Sequence, residues 1–247
     1  MKKIEKNEII HQLYYIVKYL MIKSIDKYGL GVLNAWKIQL STNEKFIITP
    51  AHNILYKVKD NKNNTVFNQS PFVPEKYNTN WYIPRKYINS TEYDLMNDIA
   101  YMPLDNNSLV MKSKHINEKN IYKINYYYYQ PYDYMNNKSY NNTTNNTINN
   151  TTNNYQLGCG QNIIYNSPGT EYFEGINFGF RGMSGSAITD VKSNYFIGLF
   201  IRKISNLGIN KIDSTLQTEM IGVSRGFVMP VKQIEKLIYS KDNIKIN

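Results

Sequence analysis

The spacing of hydrophobic and polar positions changes several times along this chain, and each change marks an element. Ile9, Leu13, Ile16, Val17 and Leu20 recur at helical spacing, which predicts an amphipathic N-terminal helix within residues 1–28. Glu5, Glu8, His11, Gln12 and Lys18 interrupt any continuous apolar run, so the segment reads as neither a signal peptide nor a transmembrane span. Packing against the body of the protein is its expected role, with docking to a partner or a membrane as the competing readings. Further on, the apolar runs shorten. Ile47-Ile48-Thr49 is a strand that runs through Pro50 and Ala51 into His52, Ile99-Ala100-Tyr101 opens another directly after Asp98, and Tyr195 to Ile201 is a third. Ile121 to Tyr129 is a run of β-formers. Helical spacing returns at Ile234, Leu237 and Ile238, so a short helix is expected at about 231–240.

One stretch carries no such pattern. Asn136 to Asn154 is almost wholly Asn and Thr, cannot bury apolar area, and is expected to form a mobile surface insertion. Its Asn-x-Ser/Thr triplets, at Asn137, Asn142 and Asn150 among others, would matter only in a secretory compartment.

Candidate chemistry centres on Gly182-Met183-Ser184-Gly185-Ser186-Ala187, a small-residue turn presenting a serine between glycines. A serine hydroxyl is a poor nucleophile unless a base lies beside it. His52 is the strongest candidate base, because it follows an apolar strand, whereas His11 lies on the N-terminal helix and His115 beside Lys112 and Lys114. Asp98 enters an apolar run, as a buried carboxylate should, while Asp94 reads as solvated. The chain order is therefore His, Asp, Ser, with gaps of 46 and 86 residues.

That order and spacing resemble the chymotrypsin-like (trypsin-like) serine proteases, of the intracellular or viral type without disulfides. The same triad occurs in other orders on α/β-hydrolase and subtilisin-like folds. The resemblance covers roughly Gly29 to Leu237. Gly29-Leu30-Gly31-Val32-Leu33 is similar to the family's first strand, Phe196 to Phe200 to the strand after the nucleophile, and Arg225 to Val231 to the last strand before a C-terminal helix. The fold it implies is all-β, a double six-stranded β-barrel with an N-terminal and a C-terminal helix. Residues 29–115 would form a first barrel carrying His52 and Asp98, and 116–247 a second carrying Ser184, with the 136–154 insertion between early strands.

The resemblance also implies roles. Ser184 would attack a scissile carbonyl, His52 would accept and return the proton, and Asp98 would hold the imidazole. The N–H groups of Gly182 and Ser184 would form the oxyanion hole. Phe178 would lie at the base of the primary pocket, Gly226 along a wall, and Ile201-Arg202-Lys203 along the edge that pairs with substrate. A Phe at the base cannot neutralise a basic side chain, so trypsin-like specificity is not expected. Small or apolar residues are favoured instead, or acidic ones drawn by Arg202 and Lys203, whose plainer reading is solvated edge charges. Met183 stands where digestive members carry an aspartate, so activation by N-terminal cleavage is not expected. Ser186 and Pro50 are smaller departures.

Composition then excludes alternatives. A single cysteine, Cys159, forbids an internal disulfide and points to a reducing, cytoplasmic compartment or a virion rather than secretion. It reads as an inert thiol rather than a nucleophile. The net charge is +10, from 29 basic and 19 acidic residues, but Lys, Asn, Ile and the 23 tyrosines together follow AT-rich coding, and no basic run or aromatic RNA-binding signature occurs. Nucleic acid and membrane are therefore not expected partners; a protein or peptide substrate is, together with association through the N-terminal helix. Neither metal nor cofactor is expected, since no paired-Cys, His-x-x-x-His or phosphate-loop motif is present. Glu171 and Glu174 read as loop residues, not a glycosidase pair. The alternative function is a protein of this fold that binds or builds structure without cleaving.

Overall fold

The computed structural model describes residues 2–70, 73, 80–91, 93–117, 121–131, 155–167, 170–205 and 224–246. The Asn/Thr-rich insertion lies outside them, as do residues 206–223.

The chain is mostly β, with a closed six-stranded barrel, a second six-stranded sheet and a few helices. Helix α1 is Lys2–Asp26. The first unit holds β1 (Trp36–Gln39), β2 (Lys45–Thr49), β3 (Leu55–Lys59), β4 (Thr65–Gln69), β5 (Trp81–Pro84), the short helix α2 (Arg85–Asn89), β6 (Ala100–Pro103) and β7 (Met111–Lys112). The second holds β8 (Tyr122–Pro131), β9 (Tyr155–Asn166), β10 (Phe173–Ile176), β11 (Ala187–Asp190), β12 (Phe196–Ser205) and β13 (Ser224–Pro230). Helix α3 (Val231–Ile238) and β14 (Asn243–Ile246) end the chain.

The second unit closes as β10-β13-β12-β11-β8-β9. The first is a sheet in the order β14-β5-β6-β2-β1-β7, with β3 and β4 paired apart from it as a hairpin. Among the described residues its ladder does not close on itself, and its edge strand β14 returns from beyond α3 to pair antiparallel with β5, Ile244 opposite Ile83. The chain end therefore belongs to the first unit, although sequence order assigns it to the second.

Strand alternation explains why the units share a core. On β2, Phe46 and Ile48 face the cluster that also holds Trp36, Tyr127, Leu199 and Met229, while Ile47 faces one with Trp81, Ile83 and Tyr87. Successive side chains point to opposite faces, so a strand buried on both sides reads as a continuous apolar run. Barrel strand β12 likewise divides Leu199 and Ile201 from Phe200, and a register shift in the β11–β12 ladder sends Ile197 to the barrel interior with Phe200.

Two expectations are corrected here. Residues 29–33 are not a strand: after one bridge between Gly29 and Trp36 the chain bends, Gly31 adopts φ 78°, and regular pairing starts at Trp36. Among the described side chains, the apolar stripe of α1 does not pack on the body between residues 10 and 20. Ile10, Leu13, Ile16, Val17 and Leu20 are all more than half exposed. Among the described side chains the helix is anchored at its C-terminal end, through Ile22, buried Ile25 and the Tyr129 hydroxyl, which donates to the Asp26 carbonyl at 2.7 Å. Among the described residues, no helix is long and apolar enough to cross a membrane.

Side chains also clamp the two units. Lys114 Nζ lies 2.8 Å from Asp190 Oδ2, and Glu235 of α3 takes His115 Nε2 at 2.6 Å and the Ser41 amide at 2.8 Å. Burial of Asp190 opposes its ionisation, but hydrogen bonds from Lys114 and Ser193 outweigh it and bring the carboxyl from an ordinary 3.8 to about 2. A depressed folded-state value means the stabilisation is present above pH about 4 and is lost as the pH falls towards about 2. Acid unfolding followed by circular dichroism is expected to lose this contribution in Asp190→Asn, whose melting temperature should fall less between pH 5 and pH 2 than that of the unaltered chain.

Candidate active site

The three residues singled out in the sequence come from three connections. His52 lies on a single 3₁₀ turn, Ala51–Asn53, which Pro50 starts at the end of β2 with φ −59°. Asp98 follows another such turn, Leu95–Asn97, at the mouth of β6. Asp94 is a cap rather than a solvated charge: its carboxylate accepts from the amides of Met96 and Asn97 and from the Asn97 side chain, which fixes the turn delivering Asp98. Ser184 stands in the loop between β10 and β11, where Gly182 and Gly185 adopt φ 89° and 86°. A Cβ at Gly185 would stand 2.1 Å from the Asn34 carbonyl oxygen, so that position demands glycine on two counts.

These connections meet. His52 Nδ1 is 2.6 Å from Asp98 Oδ2, and His52 Nε2 is 2.8 Å from Ser184 Oγ. Asp98 is wholly buried, while the His52 side chain keeps 22% of its surface open. The carboxylate also accepts from the His52 amide at 3.0 Å and from the Tyr93 hydroxyl, which itself lies 3.0 Å from His52 Nδ1. Burial, with the Asp98 charge added, pushes the Tyr93 phenol far above its ordinary range, so it stays a neutral donor. With Nδ1–H directed at a carboxylate, Nε2 is the ring nitrogen left to accept a proton from Ser184.

The serine hydroxyl has a second acceptor. Ser184 Oγ donates to the Ile201 carbonyl at 2.7 Å, so one hydrogen serves two acceptors. A register shift between Phe200 and Arg202 in the β12–β13 ladder accompanies that carbonyl's turn towards the loop.

The loop is oriented mainly from the first unit. Asn34 Nδ2 donates to the Gly182 carbonyl at 2.7 Å, Asn53 Nδ2 to the Ser184 carbonyl at 3.1 Å, and Trp36 Nε1 to the Gly185 carbonyl at 2.8 Å. The Met183 carbonyl accepts from the Ser186 amide and hydroxyl. With these carbonyls engaged, the N–H groups of Gly182 and Ser184 have no protein partner among the described residues. They are left to an outside acceptor beside Ser184 Oγ.

Asn34, Asn53, Trp36 and Tyr93 were not visible as site residues in the sequence, since none belongs to a local motif. Asn34 joins the loop to strand β8, because its Oδ1 also accepts from the buried Tyr129 amide at 2.6 Å. Asn34→Ala strands that amide and the Gly182 carbonyl together, at about 1–3 kcal/mol per unsatisfied group. Urea unfolding is expected to show a lower midpoint for this variant at an unchanged slope.

Two cavities flank Ser184. One, of about 260 Å³, is lined by Asn34, Tyr129, Gln130, Phe180 and Gly182 among others. The other, of about 510 Å³, lies against His52 and Arg202. Of the expected pocket residues only Arg202 lines either one. Phe178 is not the floor of an open cavity: it is 2% exposed and packs on Phe200 and Tyr126 in the barrel core. Gly226 lies beneath it, so close that a Cβ would stand 2.4 Å from the Phe178 carbonyl oxygen. Ile201 is buried, and Lys203 pairs with Gly226 across β12 and β13. From Ile201 onward, β12 is paired only by β13 among the described residues.

The other candidates have structural partners. Cys159 faces Tyr127 within the β8–β9 ladder, Glu171 pairs with Lys236, and Glu174 is buried against Ser167 and Arg225. No group of three or more potential metal ligands occurs among the described residues.

No protein-family model matches the chain, and no curated protein sequence matches it. Among solved structures, similarity is found to the catalytically inactive tobacco etch virus protease complexed with substrate. That match has 9% identity and a TM-score of 0.37, and covers 86% of this chain and 78% of that one. The tobacco vein mottling virus protease gives 10% identity and a TM-score of 0.40 over 86% of this chain and 79% of that one. A chain from a structure of the coupled folding and binding of the Sesbania mosaic virus VPg protein gives 14% and 0.40 over 79% and 78%. Similarities this distant carry no argument about chemistry, which rests on the geometry of His52, Asp98 and Ser184.

Proposed function

We propose that the protein is a serine-type endopeptidase, acting as a processing protease through an acyl-enzyme intermediate. The observation that carries the reading is the unbroken contact from Asp98 through His52 to Ser184, at 2.6 and 2.8 Å. Ser184 Oγ attacks the scissile carbonyl as His52 Nε2 takes its proton. Asp98 stabilises the imidazolium that forms, and His52 then protonates the leaving amine. The N–H groups of Gly182 and Ser184 receive the developing oxyanion. Substrate adds to the edge of β12 that is unpaired among the described residues, and an amide N–H donated to the Ile201 carbonyl leaves His52 as sole acceptor for the Ser184 proton. Met183 is fully buried in the barrel core, where no new N-terminal ammonium could find a counter-ion, so the reading includes activity of the uncut chain.

A second reading, a protein of this architecture that binds peptides without cleaving them, is favoured by two features. Phe178 and Phe200 fill the barrel behind Ser184, and the serine proton is shared with Ile201. Reaction of the full-length, uncut chain with a fluorophosphonate probe separates the two. Labelling at Ser184 with turnover of a peptide library supports the peptidase, and a folded chain that neither labels nor cleaves supports the binder.

A further inference from the structure

The 510 Å³ cavity beside His52 has a charge character that the triad does not explain. Three cations line it, Lys57 and Lys59 from β3 and Arg202 from β12, and among the described residues no carboxylate does. Asp98 lies behind it, wholly buried and already engaged by His52 and Tyr93. The basic groups are held in place. Lys57 Nζ donates to the Ser90 carbonyl at 2.8 Å and sits 4.5 Å above the Tyr87 ring. Burial pushes its ammonium down, against the pull of Asp94 and Asp98. Lys59 Nζ donates to Thr65 Oγ1 at 2.8 Å. Arg202 sits over Tyr93, its guanidinium carbon 4.3 Å from the ring centroid, and its N–H groups have no hydrogen-bond or ion-pair partner among the described residues. The ring contact holds the guanidinium beside Tyr93 with its donors unpaired among the described residues, and a guanidinium takes a carboxylate through two parallel hydrogen bonds. A concave wall of one sign concentrates counter-charge, and the chain's net +10 adds to that field.

From these observations we infer that the cavity is a subsite for an acidic side chain, and that substrates carry Asp or Glu beside the scissile bond with Arg202 as the principal partner. The position of the subsite rests on the peptidase reading, since Arg202 follows Ile201 on the strand edge to which substrate adds. The inference deepens that reading by naming a substrate class, and it replaces the pocket first expected around Phe178.

The test is a peptide library profiled on the full-length chain, with binding of matched Glu- and Gln-containing peptides measured by fluorescence anisotropy. A preference for Glu over Gln of about tenfold is expected, the size of one charge-assisted hydrogen bond. Arg202→Glu should abolish it and favour Lys at the same position, whereas Lys192→Glu, an exposed charge elsewhere, should leave it intact. Arg202→Gln retains hydrogen-bonding capacity without charge and should give an intermediate preference. Raising the salt concentration should weaken the Glu preference more than overall binding. Equal handling of Glu and Gln peptides, a preference unchanged in Arg202→Glu, or displacement of the Glu peptide by an RNA oligonucleotide at lower concentration than by an acidic peptide would overturn the inference. Anisotropy reads the charge preference even if nothing is cleaved, whereas probe labelling at Ser184 reads the peptidase reading, so the two failures are distinguishable.

Discussion

Ser184→Ala is expected to abolish peptide hydrolysis and fluorophosphonate labelling while the chain stays folded. The hydroxyl is the only group at this position able to form the acyl bond, and loss of a nucleophile from a working triad lowers kcat by about 10⁶. Structural consequences are small by comparison. Ser184 gives up one hydrogen bond to the Ile201 carbonyl, whereas the loop keeps those from Asn34, Asn53 and Trp36. Thermal unfolding within a few degrees of the unaltered chain, alongside lost turnover, is the expected pair of results. Full probe labelling of the variant would mean that the nucleophile lies elsewhere.

The second large effect is expected at Asp98. Its carboxylate receives the His52 amide, His52 Nδ1–H and the Tyr93 hydroxyl while wholly excluded from water. An asparagine offers one acceptor oxygen where all the facing groups are donors. Its amide hydrogens would turn towards His52 Nδ1 and drive the ring proton to Nε2, where it blocks acceptance from Ser184. A tautomer reversal of this kind lowers kcat by about 10⁴. Tyr93→Phe is the informative comparison, because it removes one donor to Asp98 and leaves the tautomer unchanged. A loss of about tenfold is expected, corresponding to roughly 1.4 kcal/mol. Steady-state kinetics on both variants should show Asp98→Asn far below Tyr93→Phe in kcat. Comparable losses would remove Asp98 from its assigned role.

The charge of the cleft bears on how these measurements are made. If Arg202, Lys57 and Lys59 select an acidic residue, neutral reporter peptides will underestimate turnover, and variants should be compared on substrates carrying Glu. The basic balance of the chain then acquires a location. It is a general property of the composition, but beside His52 it is concentrated in three side chains held by aromatic rings, the Ser90 carbonyl and the Thr65 hydroxyl.

Local pattern determined much of this protein. The apolar runs leading to His52 and beginning after Asp98 are legible as strands because short continuous runs of β-formers between turn residues are a local signal. Helix α3 is legible for the same reason, from Ile234, Leu237 and Ile238 on one face. The order His52, Asp98, Ser184 and the glycines around the serine named a triad, because such residues are unusual at strand ends and in tight turns. Only the tertiary structure decided that their atoms meet. It also decided that α1 leaves Leu13, Ile16, Val17 and Leu20 exposed, since helical spacing predicts an apolar face but not what lies opposite. Phe178 read as a pocket floor by position, yet Phe200, Tyr126 and the glycine at 226 draw it into the barrel core. Asn34 reaches Gly182 across 148 residues and Trp36 reaches Gly185 across 149. Bonds of that span have no local signature, because the partner that satisfies a buried amide or carbonyl is chosen by how the two units dock.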